Sequence, residues 1–173
     1  MFVDLSQEQI AELNENSIWI IMDPWKNQEE LFPFWVPKNL GPGELNDWNS
    51  TYMKKIIEYL PNMKYPLVVT TEIDKSPDVL QNLPYVQHYP NKAGPFVVEK
   101  YLKRYNLTNI IYCGFHEQEC IINRPGTGYK DMSSLGIKCY ICKDLTCAYP
   151  VEGWAKVVNS QRLSPNYRYF NLI

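Results

Sequence analysis

The sequence predicts an α/β protein, a three-layer α/β/α sandwich built around a mostly parallel sheet. Several short runs are apolar at nearly every position, as in Ile18–Met22 and 110–113, which is typical of parallel strands covered on both faces. These runs alternate with stretches whose apolar residues recur at helical spacing. Alternation of this kind indicates parallel strands joined by helical connections.

A short helix and a buried strand open the chain. Ser6, with Gln9 three residues later, has the pattern of a capping box at a helix start. The strand over residues 18–22 ends at Asp23. Residues 24–45 are rich in proline, glycine and aromatic residues, which predicts a long loop able to cover a pocket.

The rest of the chain continues the alternation. Asn46 or Asn49 is expected to cap a helix that runs to about Leu60, and Gly136 has the chemistry of a helix C-cap. The other predicted strands cover residues 66–71, 85–89, 109–113, 137–142 and 167–173, and the other predicted helices cover 96–105, about 129–135 and 151–159, with one more starting near Cys120.

Length and composition indicate one globular domain over residues 1–173. Apolar residues make up 45% of the chain and charged residues 21%, with a net charge of −2. Nothing in this balance suggests a nucleic acid or membrane partner, so we expect a small-molecule substrate. The N-terminal residues lack the layout of a secretion signal, and no apolar run approaches the roughly 18 residues of a membrane span. The expected location is cytoplasmic, where thiols stay reduced.

The cysteines do not form a convincing metal or disulfide framework. Five is an odd number, so a complete set of intramolecular disulfides is impossible. Cys139, Cys142 and Cys147 cluster in sequence. Cys139 and Cys142 lie an odd number of residues apart on a predicted strand, which puts them on opposite faces. With only two histidines in the chain, we predict neither a metal nor a cofactor.

Three reactive side chains fall where predicted strands end. Asp23 ends the first strand, Lys92 follows the third, and Cys120 follows the fourth. Ligands of parallel sheets bind at this edge. Taken singly, the three have ordinary interpretations as a turn residue, a solvated lysine and a core cysteine. At the first turn of a helix, however, Cys120 would have a lowered thiol pKa and become a nucleophile.

The turn before Cys120 resembles a known family. It reads Gly114-Phe-His-Glu-Gln-Glu-Cys-Ile-Ile-Asn-Arg-Pro and is followed by Lys143-Asp-Leu-Thr. With Asp23 at the end of an apolar strand, these motifs resemble the isochorismatase-like cysteine hydrolases, in particular a bacterial subgroup with a Gly-x-His-x-x-x-Cys turn. The resemblance spans roughly residues 17–160 and is most specific over 109–147.

The resemblance implies a fold, a mechanism and site residues. It implies a six-stranded sheet in the order 3-2-1-4-5-6 and a triad of Asp23 as base, Lys92 as cation and Cys120 as nucleophile. It also implies a non-proline cis peptide within Gly114–Glu117. Phe115, His116 and Cys120 would then form the turn that faces the oxyanion. Relatives commonly associate, so a homo-oligomer is expected.

Some residues depart from the family pattern or keep two interpretations. Trp25 stands where the family often has glutamine, and Lys92 lies closer to the following helix than in relatives. The acidic Glu117 and Glu119 flank the nucleophile and are expected to face solvent. The region over 70–77 lacks the histidines with which nicotinamidase-type relatives hold a metal, so we expect a metal-free enzyme that is not a nicotinamidase.

The substrate pocket and the turn also leave alternatives open. Trp25, Phe32 and Trp35 are candidates for a pocket wall or for a small satellite core. Arg124 is a candidate for binding a substrate anion, or for an ion pair or subunit contact. His116 either relays a proton or shapes the turn by hydrogen bonding.

Two functional hypotheses follow. The first is a metal-independent cysteine hydrolase that acts on a small amide, ureido or carbamoyl compound through an acyl-enzyme. The second is a binding or scaffold protein with the same fold that has lost turnover. Asp23, Lys92 and Cys120 within hydrogen-bond reach around one pocket would favour the enzyme, whereas a Lys92 that points to solvent would favour the binding protein.

Overall fold

A single sheet of six parallel strands organises the protein. The computed structural model describes residues 1–31, 40–87, 96–148 and 155–173. In the described part, the strands lie in the order β3-β2-β1-β4-β5-β6, and every neighbouring pair is parallel. The predicted fold class and strand order are therefore confirmed.

The helices and strands alternate along the chain. The strands are β1 (Ser17–Met22), β2 (Pro66–Thr70), β3 (Tyr85–Gln87), β4 (Asn109–Phe115), β5 (Lys138–Cys147) and β6 (Tyr169–Phe170). The helices are α1 (Gln7–Glu15), α2 (Gln28–Leu31), α3 (Glu44–Tyr59), α4 (Asp78–Gln81), α5 (Phe96–Tyr105), α6 (Tyr129–Ser134) and α7 (Ala155–Leu163).

Two hydrophobic cores cover the two faces of the sheet. On one face, α5 and α6 contribute side chains such as Val98 and Met132. On the other, α1 and α3 contribute side chains such as Ile10 and Ile56. Every residue of β1 is buried, which explains its unbroken apolar sequence, since a strand between two helical layers has no solvent face. The described part contains no helix long and apolar enough to span a membrane.

Local sequence signals located some element ends correctly. Ser6 and Gln9 form the predicted capping box at the start of α1. Gly136 has the positive φ of +83° expected just after α6. Cys139 and Cys142 lie in the two different cores, which confirms their assignment to opposite faces of β5.

Other boundaries were predicted wrongly. Asn46 and Asn49 do not cap α3, because the helix already begins at Glu44. The segment 24–45 is not a continuous loop either, since it contains α2 and the start of α3. β5 continues to Cys147 after an irregularity in its pairing with β4. Residues 143–147 thus belong to a strand that apolar periodicity alone ends at Cys142.

Candidate active site

Asp23 lies at the carboxyl end of the central strand β1 in a firmly held backbone. Its φ is +43°, a left-handed conformation that costs energy for most residues other than glycine. Its N–H donates to the Val69 carbonyl at 2.9 Å, and its carbonyl accepts a hydrogen bond from Gln28 Nε2 at 2.8 Å. Only 1% of Asp23 is exposed. The structure thus places a buried carboxylate at the carboxyl edge of the sheet.

Gly114 brings the neighbouring strand against this aspartate. It pairs with Met22 in the β1–β4 register and has a φ of +105°. A Cβ atom at this position would lie 2.4 Å from the Met22 carbonyl oxygen and 2.7 Å from the Met22 nitrogen. Only glycine fits such a close approach. The chain that leaves β4 therefore begins its turn beside Asp23.

The turn that carries Cys120 starts with a cis peptide between Phe115 and His116, which confirms the cis bond implied by the resemblance. A single π-helical turn follows over Glu117–Ile121, with Ile121 N–H donating to the His116 carbonyl at 3.3 Å. The predicted helix start at Cys120 is wrong, because the helical backbone begins at Glu117. Cys120 is partly exposed, whereas the other four cysteines are buried.

Arg124 joins the carboxylate to the thiol. Its Nη2 donates to Asp23 Oδ2 and also to Cys120 Sγ, the latter at 3.2 Å. The side chain is 8% exposed. Of the two interpretations kept for Arg124, the structure shows an ion pair within the chain. The sequence contained a signal for this arrangement, since residues four apart in a helical turn lie on the same side.

Burial and charge set the protonation of this trio. Burial raises the pKa of Asp23, and the Arg124 guanidinium opposes this effect. Burial, followed by the Asp23 charge, raises the pKa of the Cys120 thiol, while Arg124 again acts in the opposite direction. The expectation of a lowered thiol pKa is therefore wrong for the free protein, because desolvation of the thiolate outweighs the nearby cation. The geometry instead sets a neutral thiol beside a potential base.

The two carboxylate oxygens of Asp23 differ in their hydrogen bonding, since Oδ2 accepts from Arg124 and Oδ1 does not. Cys120 and Thr70 both favour the Asp23 anion through their side chains. Among the described residues, however, none makes a hydrogen bond of ordinary geometry to the buried Oδ1. Arg124 engages Oδ2, so Oδ1 is the carboxylate oxygen that the ion pair leaves open.

His116 is buried on the α3 side of the turn. Its Nε2 lies 3.0 Å from Asn49 Oδ1, and since an amide oxygen can only accept, Nε2 is the donor. Burial lowers the pKa of His116 to about 3, so the ring is neutral near pH 7 and poorly suited to relay protons there. The contact with α3 favours the turn-shaping interpretation.

The two acids beside Cys120 have different surroundings. Glu117 is fully buried and accepts two hydrogen bonds from Arg162 of α7, at 3.0 Å from Nε and 2.8 Å from Nη2. The expectation that it faces solvent is wrong. Burial raises the pKa of the partly buried Glu119. Because Glu117 is paired with Arg162, its charge is compensated where the turn approaches Cys120.

A cavity of about 530 Å³ lies between α3 and the chain that follows β1, and its lining does not include Asp23, Cys120 or Arg124. Trp25, Met53 and Ile57 supply apolar surface, and Asn49 and Lys54 supply polar groups. Trp25 is 3% exposed, so it both lines this cavity and belongs to the packed interior. Phe32, Trp35 and Lys92, the remaining predicted site residues, lie outside the described part of the chain.

The structure thus brings three predicted residues together and adds others. Asp23, Cys120 and Arg124 meet in one cluster. The sequence analysis missed Asn49 and Arg162, which hold the turn through hydrogen bonds to His116 and Glu117. Neither carries a local sequence signal, since their partners are 67 and 45 residues away. No three His, Cys, Asp or Glu residues in the described part are grouped closely enough to hold a metal.

Comparison with known proteins supports the fold. No protein-family model and no curated sequence matches this chain, but solved structures do. An isochorismatase family protein from Burkholderia thailandensis is 10% identical, with a TM-score of 0.57, and the match covers 92% of this chain and 93% of that one. The YcaC gene product from Escherichia coli, described as an octameric hydrolase of unknown specificity, is 13% identical over 91% and 76%, with a TM-score of 0.54.

An amidase is also among the similar structures. The N-carbamoylsarcosine amidase from Thermoplasma acidophilum is 10% identical, with a TM-score of 0.53, and the match covers 91% of this chain and 96% of that one. At these identities the similarity establishes the fold, and function has to be argued from the site. The chain has the isochorismatase-like fold.

Proposed function

We propose that the protein is a metal-independent cysteine hydrolase that acts on small amide, ureido or carbamoyl compounds. The observation that carries this proposal is the convergence of Asp23, Cys120 and Arg124 at the carboxyl edge of the sheet. Substrates of parallel α/β sheets bind at this edge. A partly exposed thiol beside a buried carboxylate is the arrangement that nucleophilic catalysis needs.

The proposed reaction starts with proton transfer from Cys120 to Asp23. Sγ then attacks the carbonyl carbon and forms an S–C bond, and the C–N bond breaks. The leaving amine takes the proton from Asp23. Water hydrolyses the thioester, which returns the free thiol. The resemblance assigns Lys92 as a further cation, and it assigns the oxyanion to the turn of Phe115, His116 and Cys120.

The solved structures favour this substrate class and an oligomer. One similar protein is named as an amidase for a carbamoyl compound, and another as an octameric hydrolase. A cytoplasmic homo-oligomer that acts on a carbonyl–nitrogen compound is consistent with both.

A panel of small amides, ureido compounds and carbamoyl compounds tests the proposal. We expect at least one to release its amine and to leave a transient acyl group on Cys120, detected by mass spectrometry of the intact and digested protein. Cys120→Ala should abolish both signals. The matched control is Cys139→Ser, because Cys139 lies near the start of β5, at the other end of the sheet.

One observation favours a second candidate function. Burial raises the pKa of the Cys120 thiol, which leaves less of the reactive thiolate near neutral pH. If the protein only binds its ligand, wild type and Cys120→Ala should bind a compound from the panel with equal affinity. Neither should then form a product or an adduct. That result would overturn the hydrolase proposal.

A further inference from the structure

We infer that Arg124 is the catalytic cation of this site, the role that the family resemblance gives to Lys92. The inference rests on the proposed function and deepens it. One nitrogen, Arg124 Nη2, contacts both partners of the proposed proton transfer, Asp23 Oδ2 and Cys120 Sγ. A cation in contact with both the base and the nucleophile stabilises the negative charge on either group.

Backbone hydrogen bonds fix the spacing of Arg124 and Cys120 in one segment. Arg124 N–H donates to the Cys120 carbonyl at 3.2 Å, and the Arg124 carbonyl accepts from Gly128 N–H at 2.9 Å. Gly128 has no room for a side chain, since a Cβ atom would lie 2.7 Å from the Arg124 nitrogen and 2.8 Å from its carbonyl oxygen. Arg124 and Cys120 therefore belong to one tightly packed segment, and the contact with Asp23 directs the guanidinium to the thiol.

The arrangement keeps the charge next to Arg124 throughout the transfer. Before the step, the anion is the Asp23 carboxylate and the thiol is neutral. After the step, Asp23 is protonated and the anion is the Cys120 thiolate. Nη2 donates a hydrogen bond to each of these groups, so the cation need not move. Arginine also stays protonated in proteins, which lysine in a buried site does not always do.

This assignment changes what Arg124 is expected to bind. A guanidinium already engaged with Asp23 and Cys120 is poorly placed to serve as the main receptor for a substrate carboxylate or phosphate. We therefore assign Arg124 to the reacting centre and expect the group next to the scissile bond to be neutral. An uncharged carboxamide or ureido group has this property.

The test is the pH dependence of Cys120 alkylation by iodoacetamide, which needs no substrate. Removing Arg124 alone would also change the charge of Asp23, so the comparison uses the Asp23→Asn background. In that background, we expect Arg124→Gln to move the midpoint of alkylation upward by about one pH unit or more. At a pH below the midpoint, the same shift appears as roughly tenfold slower labelling of Cys120. Arg124→Lys should give a smaller shift and serves as the second variant if Arg124→Gln does not fold.

Two controls make the test specific. Arg104 is an exposed arginine of α5, and Arg104→Gln should leave the profile unchanged. Lys92→Gln should shift the midpoint less than Arg124→Gln does. An unchanged profile for the Arg124 variants, or a larger shift for Lys92→Gln, would overturn the inference. Failure of the proposed function would instead appear as an absent acyl adduct in wild type, whatever the alkylation profiles show.

Discussion

In the described part, two arginine–carboxylate pairs with a buried carboxylate hold the Cys120 turn, and they are built differently. In Glu117–Arg162, two guanidinium nitrogens donate to two different carboxylate oxygens, at 3.0 and 2.8 Å. In Asp23–Arg124, one nitrogen donates to one oxygen and also to the Cys120 sulfur. We call the first the closed pair and the second the open pair.

The difference in bonding indicates a structural role for the closed pair and a chemical role for the open pair. The closed pair uses both oxygens of a fully buried glutamate, which gives a strong and geometrically specific tether between the turn and α7. The open pair leaves Asp23 Oδ1 without an ordinary hydrogen bond in the described part. An under-bonded buried oxygen is costly for stability but is available to take a proton. A reactive carboxylate is therefore expected to be the less completely bonded of the two.

The largest effect is expected from breaking the open pair. Asp23→Asn removes the proposed base, so turnover should fall by about 10²- to 10⁴-fold. The same change removes a negative charge that raises the pKa of the thiol, so the alkylation midpoint of Cys120 should move to lower pH. Activity and iodoacetamide labelling, measured on one preparation, should thus change in opposite directions. Slower labelling at every pH would contradict the assigned role of Asp23.

Breaking the closed pair should affect stability rather than chemistry. Arg162→Ala leaves the buried Glu117 carboxylate without its charged partner, which typically costs about 3–5 kcal/mol of unfolding free energy. Urea unfolding measures this loss, and the double variant Glu117→Ala/Arg162→Ala should recover part of it. At urea-free conditions where the variant is folded, the alkylation midpoint of Cys120 should stay near that of wild type. A shift as large as that expected for Arg124→Gln would remove the distinction between the two pairs.

A smaller effect is expected from the uncharged contact of the same turn. Burial lowers the pKa of His116 from 6.5 to about 3 in the folded protein. Between these two pH values, His116 is therefore protonated in the unfolded chain and neutral in the folded protein. Stability should fall as the pH drops from 6.5 toward 3. Between pH 7 and 5 the loss due to His116 should be about 2 kcal/mol.

His116→Gln provides the comparison, because glutamine can donate to Asn49 but does not titrate. Urea unfolding of wild type and variant at pH 7 and pH 5 isolates the histidine, since every other titrating group is present in both. Equal pH dependence in the two proteins would show that the ring is not buried in its neutral form.

Several parts of the site could be read from the sequence because the signals are local. Asp23 follows an apolar strand, and Cys120 and Arg124 are four residues apart, so their neighbourhood depends on short segments. Glu117 could not be placed in this way. Its burial depends on Arg162, which lies 45 residues away on α7, and an acid in a polar turn has no local feature that distinguishes burial from exposure.

The pattern of apolar residues was enough to predict the architecture, because unbroken apolar strands must lie between two helical layers. The parallel order of these strands brings Asp23 and the Cys120 turn to one edge of the sheet. The electrostatics of the site, in contrast, depend on tertiary packing. Desolvation depends on everything packed around a group, and that packing raised the pKa of the Cys120 thiol where a helix start alone predicted a lower one. It also paired Arg124 with both Asp23 and Cys120, because side-chain contacts between separate strands form only when the sheet is assembled.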